Sequence, residues 1–330
     1  MAVHPVRARR LIAAASGAAC LSSLAACSAP SASLQGAGAS FPASIYQRWF
    51  ADLASKEKIR VNYQSVGSGA GVRQFEAGTV DFAASDRPLD ASEAAAIKRG
   101  VVQLPLTAGA IAVAYNLPGC ELKLSQSQLV QIFEGKITNF KQLGCGDQKI
   151  QVVVRSDGSG TTYNFTNSLA AFSPSWKSGP GTGKSVNWPT GVGAKGNEGV
   201  SANLQQSKGS IGYVETAYVR GPLQAAALEN RAGQFVKPDA ASASAALATV
   251  NLGADLTGGD PNPATGYPIV TFTWVLLYKS GNGSKLAPLQ TSFGYALSEA
   301  AQQQAPGLGY VSLPEPVLSK ARAALATLSQ

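Results

Sequence analysis

The chain has 330 residues, 14% of them charged and 45% hydrophobic, a balance that excludes disorder and leaves room for one large or two medium cores. Its single histidine is His4, inside a leader segment, so the exported chain has no Ser-His-Asp or Cys-His mechanism open to it and lacks the commonest metal ligand. The formal charge of +8 falls to +5 from Cys27 onward, 24 Lys and Arg against 19 Asp and Glu, which is too diffuse to predict nucleic acid as a partner.

Residues 1–27 read as an export signal. Arg7, Arg9 and Arg10 form a positive start, and 11–26 is an apolar run diluted by Ser16, Gly17, Ser22 and Ser23. That run is shorter than the ~20 residues a membrane-spanning helix needs. It ends in Leu24-Ala25-Ala26-Cys27, which resembles the bacterial lipoprotein box and so predicts a lipid on Cys27. The alternative is a plain secretory signal that releases a soluble chain. Residues 28–33 are polar and predict a tether.

Helix and strand patterns then alternate. A helix is predicted over 44–56, with Ile45, Trp49, Phe50 and Leu53 on one face. Strands are predicted at 59–66 and 80–84, and Asp90 with Glu93 forms a capping box that starts a helix. Further strands are predicted at 111–115, 150–155 and 270–278. An alanine-rich surface helix is expected at 240–248, and helices surround a broken stretch at 306–316. This alternation predicts an α/β chain with mostly parallel sheets. Cys120 and Cys145 are the only cysteines after Cys27 and lie at turn sites. In an exported chain they suggest a structural disulfide, adding roughly 3–4 kcal/mol in the chain-entropy picture.

Three short motifs share a design of small residues and a hydroxyl ahead of a helix start. They are Gly36-Ala37-Gly38-Ala39-Ser40-Phe41-Pro42, with Ser40 placed to cap, then Val66-Gly67-Ser68-Gly69-Ala70-Gly71 before a helix at 72–77, and Arg155-Ser156-Asp157-Gly158-Ser159-Gly160-Thr161 before a helix at 162–172. Helix starts present free N–H groups and partial positive charge to anions. Each motif alone is an ordinary capped turn, but three of them, one with an arginine, converge on a small oxyanion. Asp86 by position alone reads as a turn or cap residue. Gly179-Pro180-Gly181-Thr182-Gly183-Lys184-Ser185 looks like a phosphate-binding loop, but Ser178 stands where that pattern needs glycine. No apolar strand precedes it, since 173–178 is loop-like, so 179–185 is read as a surface loop.

From about Leu34 to its C-terminus the chain resembles the periplasmic phosphate-binding proteins of bacterial ABC phosphate transporters. The resemblance rests on GAGASFPASIY (36–46), VNYQSVGSGAGVRQF (61–75), DFAASDRPL (81–89), RSDGSGTTYNF (155–165), VNWPTGVGAKGNEGV (186–200) and GSIGYVETAYV (209–219). It implies a two-lobed, type II-like α/β fold in which each lobe is a mostly parallel sheet flanked by helices. Residues 34–108 with 268–330 would form one lobe and 109–267 the other, with crossovers at 108–115 and around 267–275. The cleft between them would hold phosphate through Ser40, Phe41, Ser68, Asp86, Arg155, Ser159, Gly160 and Thr161. Asp157 would pair with Arg155 and hold its fork in place. Gly69 stands where the family often has a second serine, so that hydroxyl is lost.

The ligand chemistry gives the reading an edge. At neutral pH phosphate keeps at least one proton and sulfate keeps none. A buried Asp86 carboxylate accepts a hydrogen bond from that proton, whereas sulfate would set an oxygen against it unpaired, a mismatch of up to roughly 10⁴–10⁵ in preference. The resemblance implies phosphate capture and delivery to ABC permease subunits, with no chemistry on the ligand, no cofactor and no metal. The protein would be a monomer in the periplasm or on the outer face of the cell membrane, tied to the membrane only by the lipid. The competing reading is an exported phosphatase or other hydrolase in the same cleft; Ser159 lies between Gly158 and Gly160, but Asp157 breaks the G-x-S-x-G elbow. A third is a sensor or adhesin that keeps only the fold.

Overall fold

The computed structural model describes residues 1–3 and 32–330; Cys27, with the lipidation expected there, lies outside the described residues. Ala32 and Ser33, expected in the tether, already belong to a strand, Ala32–Gly38. The reason is pairing: Ala32 sits opposite Ile59 and Ser33 opposite Arg60 in a parallel ladder.

One continuous sheet runs in the order Ile59–Ser65, Ala32–Gly38, Phe82–Ser85, Val270–Tyr278, Val101–Tyr115, Ser210–Glu215, Gln151–Arg155, Val192–Ala194. Its two ends are parallel. Ala32–Gly38 pairs in parallel with both neighbours, and so does Gln151–Arg155. Helices follow these strands and cover the sheet, which is the arrangement a βαβ alternation requires.

Between the parallel ends run two long antiparallel strands. The sequence pattern marks 111–115 as a strand, but the element is three times that length, Val101–Tyr115. Its first part, 101–110, pairs with Val270–Tyr278, and its last part, 111–115, pairs with Ser210–Glu215. A single strand therefore belongs to two half-sheets. Pro105, which has no N–H to give the ladder, lies opposite Trp274 where the register slips between Thr273 and Trp274. Val270–Tyr278 is buried at every position, so its alternating threonines face the interior and are available to a site.

The amphipathic helix Ala43–Lys56 buries Ile45, Trp49, Phe50 and Leu53 as its periodicity predicts, and the Trp49 indole N–H donates to the Ala301 carbonyl at 3.1 Å. Ser40 does not cap this helix; its hydroxyl is engaged elsewhere. The Asp90–Glu93 capping box forms in both directions. The segment expected as loop at 173–178 contains a short helix, Pro174–Ser178, because Trp176 is driven into the core and Ser173 caps the turn. The alanine-rich helix Ala240–Leu247 is not purely superficial, since Ala243, Ala246 and Leu247 are buried. Cys120 and Cys145 form the expected disulfide. Among the described residues no helix is long and apolar enough to cross a membrane.

Candidate oxyanion-binding site

The chemistry-bearing loops all leave the carboxyl ends of parallel strands, the position where open α/β sheets bind ligands. Ser40 follows Ala32–Gly38, Ser68 follows Ile59–Ser65, and Asp86 is the residue after Phe82–Ser85. On the other half-sheet Arg155 ends Gln151–Arg155, and Asn197 lies in the helix Gly196–Gln206 just after Val192–Ala194. The two halves approach so closely that glycine is needed at contact points. A Cβ on Gly160 would come within 2.7 Å of Ser68 Oγ and 2.8 Å of the Asp86 main chain. Gly67, at φ +88°, leaves no room either: its Cβ would meet Asp157 Oδ2 at 2.1 Å.

The helices expected at 72–77 and 162–172 begin earlier, as Ser68–Glu76 and Gly160–Phe172. Ser68 and Thr161 are therefore first-turn residues whose helices start inside the site. Ser159 caps the second helix, its Oγ accepting the Thr162 N–H at 3.0 Å. Ser159 N–H in turn donates to the Lys184 carbonyl at 2.8 Å, so the stretch read as a surface loop supports the binding loop from behind.

Ser40, Ser68, Asp86, Arg155, Ser159 and Thr161 are all buried, none more than 4% exposed. They are joined across the cleft. Gly160 N–H donates to Ser68 Oγ at 3.1 Å, and Asp86 N–H reaches the same oxygen at 3.4 Å. Thr161 Oγ1 donates to Asp86 Oδ2 at 3.2 Å, and Gly69 N–H donates to the Gly158 carbonyl at 2.8 Å. That last contact shows why residue 69 is confined: a Cβ there would lie 3.2 Å from Gly158 Cα. Phe41 is wholly buried against Tyr310, whose hydroxyl donates to the Phe41 carbonyl at 2.7 Å.

Arg155 and Asp157 pair as expected, with two bonds: Nε to Oδ1 at 2.7 Å and Nη2 to Oδ2 at 2.6 Å. Nη1 is buried and has no hydrogen-bond partner among the described residues. Burial works against the Arg155 charge, but the Asp157 carboxylate more than offsets it and raises its pKa. Burial likewise opposes ionisation of Asp157, yet Arg155 and the Gly196 N–H hold its carboxyl below the ordinary range. Asp86 behaves differently. Burial pushes its pKa up from 3.8 to about 7, with Thr273, Arg155 and Thr161 pulling back only in part. The pocket thus contains one fixed cation with an unused donor, several hydroxyl and main-chain donors, and a single carboxyl that exchanges its proton near neutrality.

Two participants escaped the motif reading. Thr273 donates to Asp86 Oδ1 at 2.9 Å; its signal is a pair of threonines two positions apart, Thr271 and Thr273, in an otherwise apolar strand. Asn197 donates to Ser40 Oγ from both its main chain, at 2.9 Å, and its side chain, at 2.8 Å. It sits within the 186–200 block, where nothing in residue type alone set it apart.

A sheet shared by two halves, with a buried cluster of hydrogen-bond donors around Asp86 where the halves meet, is the arrangement of a substrate-binding protein for a small oxyanion. Comparison with known proteins agrees. A profile of the PBP superfamily domain matches residues 25–300. The phosphate-binding protein PstS of Xylella fastidiosa (strain Temecula1) is 41% identical over 304 residues, covering 86% of this chain and 82% of that one. The phosphate-binding protein PstS of Pasteurella multocida is 41% identical over 309 residues, covering 88% and 89%. Among solved structures, a periplasmic phosphate-binding protein, PfluDING, bound with phosphate, superposes with a TM-score of 0.77 at 24% identity, over 88% of this chain and 93% of that one. This chain belongs to the PstS family of phosphate-binding proteins within the PBP superfamily, and its fold is the two-lobed α/β fold of periplasmic binding proteins.

Proposed function

We propose that this chain captures inorganic phosphate in the cleft and delivers it to the membrane subunits of an ABC permease, without chemistry on the ligand. The phosphate contacts are Ser40, Phe41, Ser68, Asp86, Arg155, Ser159, Gly160 and Thr161, with Asp157 holding the Arg155 fork. Residues 34–108 with 268–330 make one lobe and 109–267 the other; the shared strand Val101–Tyr115 and its partner Val270–Tyr278 provide the hinge about which they open. The protein works as a monomer in the periplasm or on the outer face of the membrane, anchored through a lipid on Cys27.

The observation that carries the reading is Asp86, buried among donors. Arg155 Nη1, the Ser40 and Ser68 hydroxyls and the main-chain N–H groups of the loops satisfy oxygens that carry no proton. Asp86 requires one that does. With its pKa about 7, Asp86 is ionised at pH 8 and accepts the one proton of hydrogen phosphate. Sulfate brings no proton to an ionised Asp86. A hydrolase is disfavoured because Ser159 is occupied as a helix cap and no histidine follows His4 to serve as its base.

Calorimetric titration of the mature chain with phosphate and with sulfate at pH 8 tests this. Phosphate is expected to bind one per chain and to exceed sulfate by roughly 10⁴ or more. Comparable affinities for the two anions would defeat the reading.

A further inference from the structure

Asn197 is wholly buried, and its carboxamide has one orientation. Glu215 N–H donates to Oδ1 at 3.0 Å, a bond that an amide nitrogen cannot accept, so Nδ2 faces the cleft. There it lies 2.8 Å from Ser40 Oγ and 3.4 Å from Thr161 Oγ1. The Asn197 main-chain N–H reaches Ser40 Oγ as well, at 2.9 Å. A serine hydroxyl accepts two hydrogen bonds and donates one. Asn197 therefore fills both acceptor positions of Ser40, leaving only the O–H to give away.

Ser68 is set in the same way from a different direction. Its oxygen takes the N–H groups of Gly160 and Asp86, and its O–H remains. Thr161, in contrast, has its hydrogen committed to Asp86 Oδ2. The pocket is thus divided into a side that can only donate and a side, Asp86, that can accept.

We propose that Asn197 is a positioning residue that makes Ser40 an obligate donor to the bound anion, so that only an unprotonated phosphate oxygen fits against Ser40 and the protonated oxygen is turned to Asp86. The inference rests on the phosphate reading and goes beyond it, because it assigns the orientation of the ligand's proton to a residue that need not touch the ligand. Asn197 also joins the two half-sheets, since Ser40 lies on one and the helix Gly196–Gln206 on the other, so its bonds to Ser40 form only on closure.

A double-mutant cycle on the full mature chain tests it, with Asn197→Ala, Ser40→Ala and the pair titrated with inorganic phosphate by calorimetry. Dissociation is followed by stopped flow. Asn197→Ala is expected to weaken phosphate roughly 10- to 100-fold, through faster dissociation and with stoichiometry still one per chain. In the Ser40→Ala background the same change is expected to cost less than about threefold. Should Asn197→Ala fail to fold, Asn197→Ser carries the same cycle. Equal losses in the two backgrounds, or a loss that appears as lowered stoichiometry, overturn the assignment while leaving phosphate binding intact. A wild-type chain that shows no phosphate binding overturns the phosphate reading and this inference together.

Discussion

The cleft is bridged in two places that differ in kind. At its floor, Asp86, Ser68, Thr161, Ser40 and Asn197 meet in a buried network with the Arg155–Asp157 pair beside them. At its rim, Lys184 Nζ reaches Glu93 Oε1 at 2.9 Å, and Arg87 pairs with the same carboxylate while lying over the Tyr163 ring. The rim side chains keep 14–27% of their surface in solvent, whereas Arg155 keeps 1%. Water and salt screen the rim, so its contacts are worth little singly. Floor groups have no such relief, and each must be matched by the ligand or by a neighbour. On the proposed function, the floor would select the anion and the rim would adjust how long the closed form lasts.

The sharpest way to break that contrast is at Arg155. Arg155→Ala leaves the Asp157 carboxylate, only 11% exposed, without its main partner, a change that costs about 3–5 kcal/mol of stability for buried pairs. Phosphate affinity should fall by 10³-fold or more, on the order of two charge-assisted hydrogen bonds. A variant that still binds phosphate within tenfold of wild type would remove Arg155 from the floor.

Asp86→Asn comes next. It is expected to cut the preference for phosphate over sulfate at pH 8 by at least 10²-fold, because the carboxylate that rejects sulfate is gone. It also separates binding from stability. A folded pKa of about 7 against 3.8 for an unperturbed carboxyl means that the folded chain holds this proton more tightly than the unfolded one. The contribution is complete below about pH 4 and is lost as pH rises through about 7. The unliganded Asp86→Asn chain should therefore melt several degrees above wild type at pH 8 and close to it near pH 4. Melting curves that show no gain at pH 8 would mean that Asp86 is not strained in the empty pocket.

The smallest effect is expected at the rim. Lys184→Ala should weaken phosphate by less than about tenfold, in line with ~0.2–1 kcal/mol for a partly exposed pair, and the difference from wild type should shrink in 0.5 M salt. Glu93 pairs with both cations and its carboxyl is held below its ordinary range, burial opposing this and Lys184, the Asp90 N–H and Arg87 outweighing it. The latch therefore holds above Glu93's titration and loosens as pH falls through it. A salt-independent loss as large as that of Arg155→Ala would erase the distinction between floor and rim.

Much of this was legible residue by residue. The capping box at Asp90, the amphipathic face of Trp49 and Phe50 and the strand 270–278 follow from short-range periodicity, and the structure realises each. Other elements depart from their local signals because distant partners override them. Val101–Tyr115 extends far beyond its obvious apolar core because Val270–Tyr278 supplies a ladder for 101–110. Ser40 sits where a helix cap belongs, yet Asn197, 157 positions away in sequence, claims its oxygen. Lys184, in a stretch whose local pattern reads as surface loop, supports the Ser159 main chain and reaches Glu93.

The sequence by itself determined which groups are brought to the cleft: hydroxyls and glycines ahead of helix starts, one arginine with its aspartate, and a carboxyl just after a short apolar strand. These depend on the conformational preferences of neighbouring residues, which a linear string records. Only the tertiary structure decided what those groups do there. Whether a carboxyl keeps its proton, and whether a serine gives or accepts a hydrogen bond, depends on the water removed and the partners supplied by the opposite half-sheet. Those partners are set by the way the chain crosses itself twice.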